Sequence, residues 1–226
     1  MKYKALLLDI DNTLYDYDKA NCYAQRMVVQ FCVAEFKMTE TQVSKAYSDA
    51  RKKVHIELSE TAASHNRLLY FQKMCGALKV NPLLYGLRLY NIYWDTFLAE
   101  MKPFDGVYDL LAKYKNKICL VTDLTAHIQY RKMETLNLSE YCDVVVTSEE
   151  AGREKPHPYM FMLALQKLGF GTSEVCMIGD SFHKDIVGAS NLGINSIWFN
   201  HQMKSENFSG HYIQMVHTFD QIGLLV

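Results

Sequence analysis

Two aspartates one residue apart close the apolar run in KALLLDIDNTLYD, residues 4–16: Asp9 and Asp11 follow Ala5–Leu8, and Thr13 comes next. Four apolar residues flanked by turn formers read as a strand inside a sheet, where a carboxylate is costly to bury without a cation or donors. Alternation along an extended chain sends Asp9 and Asp11 to the same side. Two negative charges are then expected to meet at one spot, which calls for a metal. The plain alternative is a strand that ends at a polar loop.

Other chemistry-bearing residues recur at the ends of apolar runs. KICLVTD, residues 117–123, ends in Thr122 and Asp123; the loop GREKPHP carries Lys155; MIGDSFHKD ends a strand at Asp180, with Asp185 beyond. In a parallel sheet, ligands gather outside the carboxyl ends of the strands, so these groups are expected on one rim. Carboxylates, a lysine and a hydroxyl there match the needs of phosphoryl transfer: a nucleophile, a cation for the phosphate oxygens, and Mg²⁺ held by oxygen ligands.

The elements that must place these residues alternate strand with helix. Buried strands are predicted at 117–123, 143–148, 175–180 and 195–200, and helices at 107–115, 126–137 and 158–168, which gives an α/β fold with a Rossmann-like parallel-sheet core. Residues 18–100 break the alternation, with helical patterns over about 18–36, 40–56, 61–76 and 82–100 and no strand-like run. Thr39 and Asn81 suit helix caps and Pro82 a first helical position. The expected organisation is a core of residues 1–15 and 103–226 around an all-helical insert, 16–102.

Composition narrows the partners. The chain has 226 residues, 49% hydrophobic and 22% charged, with a formal net charge of -1, so it is globular and carries no overall field for nucleic acid or an anionic membrane. Its six cysteines, Cys22, Cys32, Cys75, Cys119, Cys142 and Cys176, are scattered without a CxxC pair and read as reduced core residues. The first apolar run is cut by Asp9, too early for a secretory signal, and no stretch is long enough to span a bilayer. A cytoplasmic protein is expected, monomeric or weakly homodimeric, whose partner is a small phosphorylated metabolite rather than a nucleic acid polymer or a membrane.

DIDNT at Asp9–Thr13, Thr122, Lys155 before Pro156, and GDSFHKD up to Asp185 together resemble, in order, the four motifs of the haloacid dehalogenase (HAD) superfamily. The resemblance covers essentially the whole chain. It implies that Asp9 is a nucleophile forming an aspartyl-phosphate, and that Asp11 is the general acid for the leaving oxygen and then the base for water. It implies Mg²⁺ on Asp9, the backbone carbonyl of Asp11 and Asp180, supported by Asp185, with Thr122 and Lys155 on phosphate oxygens. Dehalogenases of the family lack the second aspartate of the first motif, so Asp11 points to the phosphatase branch.

The helical insert lies where this family places a helical, C1-type cap, with Tyr15–Asp18 and Met101–Phe104 as hinges. Recognition of the leaving group is then expected from His65, Asn66 and above all Arg67. In one departure, the chain has Asp123, Leu124 and Thr125 where related phosphatases often carry Asn-Gly after the threonine; Asp123 is left outside the site, binding phosphate through its backbone or facing a substrate hydroxyl. The later segment is loosely similar to nucleotidase and acylneuraminate-phosphatase members. The expected function is a Mg²⁺-dependent phosphatase for a small phosphomonoester of nucleotide or sugar phosphate type. The alternatives are a sugar phosphomutase and a non-catalytic module that binds a phosphorylated ligand.

Overall fold

The structure is a computed structural model that describes residues 2–206 and 212–226. Its contacts divide the chain into two compact units, Met1–Asp16 with Lys102–Val226, and Tyr17–Met101.

The first unit is built on six parallel strands: β1 (Ala5–Leu8), β2 (Ile118–Thr122), β3 (Val144–Thr147), β4 (Val175–Gly179), β5 (Asn195–Phe199) and β6 (Ile213–Val216). Their order is β3-β2-β1-β4-β5-β6. Every residue of β1, β2 and β4 is buried, which explains their unbroken apolar runs: a parallel sheet covered on both faces has no solvated side to mark by alternation. β1 lies between β2 and β4, where the strand order reverses, so the crevice outside its carboxyl end is the place where such sheets bind ligands.

Helices α5 (Val107–Lys113), α6 (Ala126–Thr135), α7 (Ser148–Ala151), α8 (Pro158–Leu168), α9 (Gly188–Ser190) and α10 (Phe219–Leu225) connect or follow these strands, with a π-helical turn at Phe182–Val187 after β4. α8 begins with Pro158 at a position needing no donor and ends at Gly169 in the left-handed region (φ 73°), as its sequence dictates. Its Met160, Phe161 and Ala164 bury against Leu7, Cys119, Val121 and Met177 of the sheet, each large side chain contributing about 1.5–3 kcal/mol. β6 and α10 were not expected: IQMV is short and only partly buried, so it lacks the apolar run that marks the inner strands.

The second unit packs α1 (Tyr17–Phe36) on α4 (Pro82–Glu100), α4 on α3 (Arg67–Ala77), and α3 on α2 (Glu40–Glu57). Thr39 and Gln42 form a capping box at the start of α2, and Asn81 accepts from Leu83 N ahead of Pro82. The helix expected over 61–76 is divided. Ala62–His65 make a 3₁₀ turn, and the Asn66 side chain accepts from Leu68 N, so Asn66 starts α3 instead of continuing a helix through it.

In the first unit the two segments leading to and from the helices run side by side: Tyr15 bridges Pro103, and Phe104 N donates to Leu14 O at 3.0 Å. Among the described residues, no helix is long and apolar enough to cross a membrane.

Candidate active site

Asp9 follows β1 directly and is tied to the neighbouring strand, its N–H donating to Ile178 O at 3.0 Å. The chain then leaves the extended conformation: Asn12 adopts φ 59°, and Thr13 and Leu14 N donate back to Ile10 O. This turn folds Thr13 under Asp9. Its hydroxyl donates to Asp9 Oδ2 at 3.0 Å and accepts from Asp180 N at 3.0 Å, locking the ends of β1 and β4 together.

The other oxygen of Asp9 meets Lys155. Lys155 Nζ, almost fully buried, lies 2.6 Å from Asp9 Oδ1, 2.6 Å from Asp185 Oδ1 and 2.9 Å from Val121 O at the end of β2. Burial opposes its charge, but Asp185 and Asp9 outweigh that and raise its pKa. Asp185 approaches closely because residue 179 is glycine; a Cβ there would sit 2.4 Å from the Asp185 carboxylate. Ser181 N also donates to Asp185 at 3.0 Å, and Trp198 Nε1 donates to Asp180 O at 2.9 Å.

Carboxylate oxygens of Asp9, Asp180 and Asp185 lie within 4.8 Å of one another. Burial, reinforced by neighbouring carboxylates, pushes Asp9 up to about 7 against the pull of Lys155. Burial and Asp9 push Asp180 up to about 7 as well, and Asp185 is raised chiefly by burial. Three clustered, poorly solvated carboxylates that resist ionising together form a hard-oxygen donor set that fits a divalent cation.

Although its charge still acts on Asp9, Asp11 has a separate set of partners. Its carboxylate stands outside that cluster: Lys132 Nζ lies 2.8 and 2.7 Å from its two oxygens, the Tyr15 hydroxyl donates to Oδ1, and Gln129 Nε2 donates to Oδ2 at 3.3 Å. Burial works to raise the Asp11 pKa, yet Lys132 and the hydroxyl and amide donors hold it below the usual carboxylate value.

Thr122 ends β2 and is buried; its Oγ1 accepts from Gln129 Nε2 at 2.7 Å. Asp123 acquires partners that an asparagine would not attract equally: Lys155 N donates to Oδ1 at 3.0 Å and Lys184 Nζ to Oδ2 at 2.8 Å. Lys184 also lies 3.4 Å from Glu154, so Asp123 joins the loop before α8 to the turn after β4. Gln129 and Lys132 escaped the sequence reading. Both lie on a helix it did recognise, three residues apart and hence on one face, and the signal was a polar face on the helix that follows Thr122.

Arg67 lies in the helical unit and is buried. Its guanidinium donates to the Tyr17 hydroxyl and, at 2.7 Å, to His65 O, and it lies 5.2–5.6 Å from the ring centroids of Tyr70, Tyr93 and Trp94. Its Nε is buried without a hydrogen-bond partner. His65 packs edge-on against His55, and Asn66 is occupied in capping α3.

Residues 3–193 match the family described as haloacid dehalogenase-like hydrolase. The chain belongs to this family of hydrolytic enzymes. It is 33% identical over 207 residues to ribulose-1,5-bisphosphate 5-phosphatase of Halopiger xanaduensis, covering 89% of this chain and 87% of that protein. It is 27% identical over 205 residues to glyceraldehyde 3-phosphate phosphatase of Methanothermobacter thermautotrophicus, covering 88% and 87%. Identity to the pyrimidine 5'-nucleotidase YjjG of Escherichia coli is 26% over 230 residues, covering 98% of each. The crystal structure of the HAD-hydrolase YfnB of Bacillus subtilis bound to magnesium shares the fold, with a TM-score of 0.73 at 20% identity over 100% of this chain and 99% of that one.

Proposed function

We propose that the protein is a Mg²⁺-dependent phosphatase that hydrolyses a small phosphomonoester, of sugar phosphate or nucleotide type, through an aspartyl-phosphate on Asp9. The observation that carries this reading is the placement of Asp9 within 2.6 Å of Lys155, beside Asp180 and Asp185, at the carboxyl end of the central strand. The activities named for the relatives, on ribulose bisphosphate, glyceraldehyde phosphate and pyrimidine nucleotides, support the substrate class.

In this reading Asp9 attacks phosphorus, and the bond to the leaving oxygen breaks as that oxygen takes a proton from Asp11. Water then attacks the aspartyl-phosphate, giving up a proton to Asp11 and restoring both residues. Lys155 and Thr122 hold the phosphate oxygens. Asp9 and Asp180, with Asp185 beside them and the backbone carbonyl of Asp11, would hold Mg²⁺, which supplies positive charge for the phosphate oxygens. The helical unit acts as a cap, and Arg67 reads the leaving group. Nε of this buried guanidinium has no hydrogen-bond partner, and an anionic or strongly polar ligand would satisfy it.

The test is release of inorganic phosphate from glyceraldehyde 3-phosphate, ribulose 1,5-bisphosphate, uridine monophosphate and p-nitrophenyl phosphate, with Mg²⁺ and with a chelator. Turnover that requires Mg²⁺ is expected. Asp9→Asn should remove it almost entirely, because an amide neither attacks phosphorus nor binds the cation as strongly. A folded Asp9→Asn variant that kept a sizeable share of the rate would rule out the covalent route.

A further inference from the structure

We propose that Lys132, with Gln129 and Tyr15, is a positioning device that holds the proton donor Asp11 in register with the phosphate-binding Thr122. This rests on the reading of Asp11 as the group that protonates the leaving oxygen. Lys132 is fully buried and spans both oxygens of Asp11 at 2.8 and 2.7 Å. Tyr15 and Gln129 donate to one oxygen each. The Asp11 side chain nevertheless keeps 24% of its surface accessible, so it is gripped on one side and open on the other.

Gln129 links this grip to the phosphate side. From the same face of α6, its Nε2 lies 2.7 Å from Thr122 Oγ1 and 2.6 Å from Asp123 O. One helix face therefore sets the position of the group that delivers the proton and the position of the group that holds the phosphate. The distance between leaving oxygen and phosphorus is fixed by the substrate, so a rigid link between these two groups is a geometric requirement.

A merely structural ion pair would affect every substrate alike. A device that acts through Asp11 has its effect where the leaving group needs a proton. An alkyl oxygen does; the oxygen of p-nitrophenol departs as a stable anion and does not. The parameter to compare is kcat/KM, which reports steps only up to the first irreversible one, here departure of the leaving group.

Lys132→Met keeps an unbranched side chain one atom shorter and removes the ammonium. It is expected to lower kcat/KM for glyceraldehyde 3-phosphate about ten- to a hundredfold and that for p-nitrophenyl phosphate by no more than about threefold. Tyr15→Phe, which removes one donor, should shift the ratio the same way by less, and it carries the test if Lys132→Met lacks a cooperative thermal transition. Equal losses on both esters in a folded variant, or no loss on either, would overturn the proposal while leaving the phosphatase reading in place. A wild-type enzyme that hydrolyses only the aryl ester would overturn it too. A wild type that hydrolyses neither would remove the phosphatase reading and this inference with it.

Discussion

Arg67 carries a full positive charge into the helical unit, where aromatic rings and two oxygens surround it. If it reads the leaving group, Arg67→Ala should lower kcat/KM for the best sugar phosphate by roughly ten- to a hundredfold, the worth of one charged hydrogen bond. Hydrolysis of p-nitrophenyl phosphate should fall much less. Equal losses on both substrates, with a lowered melting temperature, would instead assign the guanidinium to holding the rings together. The residues that bear chemistry were the most legible part of the sequence. Asp9, Thr122 and Asp180 stand at the ends of apolar runs, where polar groups have few structural reasons to be, and Lys155 stands before a proline in a loop. Arg67 could be picked out as a donor, but its aromatic enclosure comes from residues 17, 70, 93 and 94, which only the packing of three helices assembles.

At the scale of elements, the end of β4 shows how tightly the backbone serves the site. Gly179→Ala is expected to push the Asp185 carboxylate away, because the added methyl would lie 2.4 Å from it. Activity should fall well beyond what a change of about 1 kcal/mol in a strand would explain, and the affinity for Mg²⁺ measured by calorimetry should fall with it. Unchanged Mg²⁺ affinity would show that Asp185 is not part of the cation site. The inner strands and the capped helices could be read because an apolar run and a capping residue are local signals. α6 could be read as a helix, whereas the inward aim of Lys132 could not: a charged residue on a helix normally faces water, and only the position of Asp11 turns it inward. β6 is an edge strand with two exposed residues, so the burial that marks β1, β2 and β4 leaves no comparable trace in its sequence.

For the whole molecule, the carboxylate cluster ties stability to pH and to cations. Asp9 and Asp180 rise from an ordinary value of 3.8 to about 7 on folding. Between about pH 4 and 7 the folded chain therefore keeps protons that the unfolded chain has lost, and stability from these groups falls as pH rises through that window. Asp11, held below 3.8, acts at lower pH and in the opposite sense: its contribution is present above the unfolded value and is lost as pH falls through the folded one. In chelator, the melting temperature of the protein should drop between pH 5.5 and 7.5 more than that of Asp180→Asn. Mg²⁺ should raise it more at pH 7.5 than at 5.5, since the cation takes the place of the protons. A Mg²⁺ effect independent of pH would mean that the cation binds elsewhere.

The insertion of the helices after β1 also orders events during synthesis. The strand that carries Asp9 is made first, but its neighbours in the sheet begin at residues 118 and 175. The helical unit, residues 17–101, is continuous and can bury its aromatic interior as it leaves the ribosome. At about 5–20 residues per second, β1 waits roughly 5–20 s for β2 and longer for β4. Asp9 thus stays apart from Asp180 and Asp185 until most of the chain exists. A nascent or truncated chain can hold a finished helical unit and an unpaired apolar strand, with no cation site and no nucleophile in place: chemistry is the last property this polypeptide acquires.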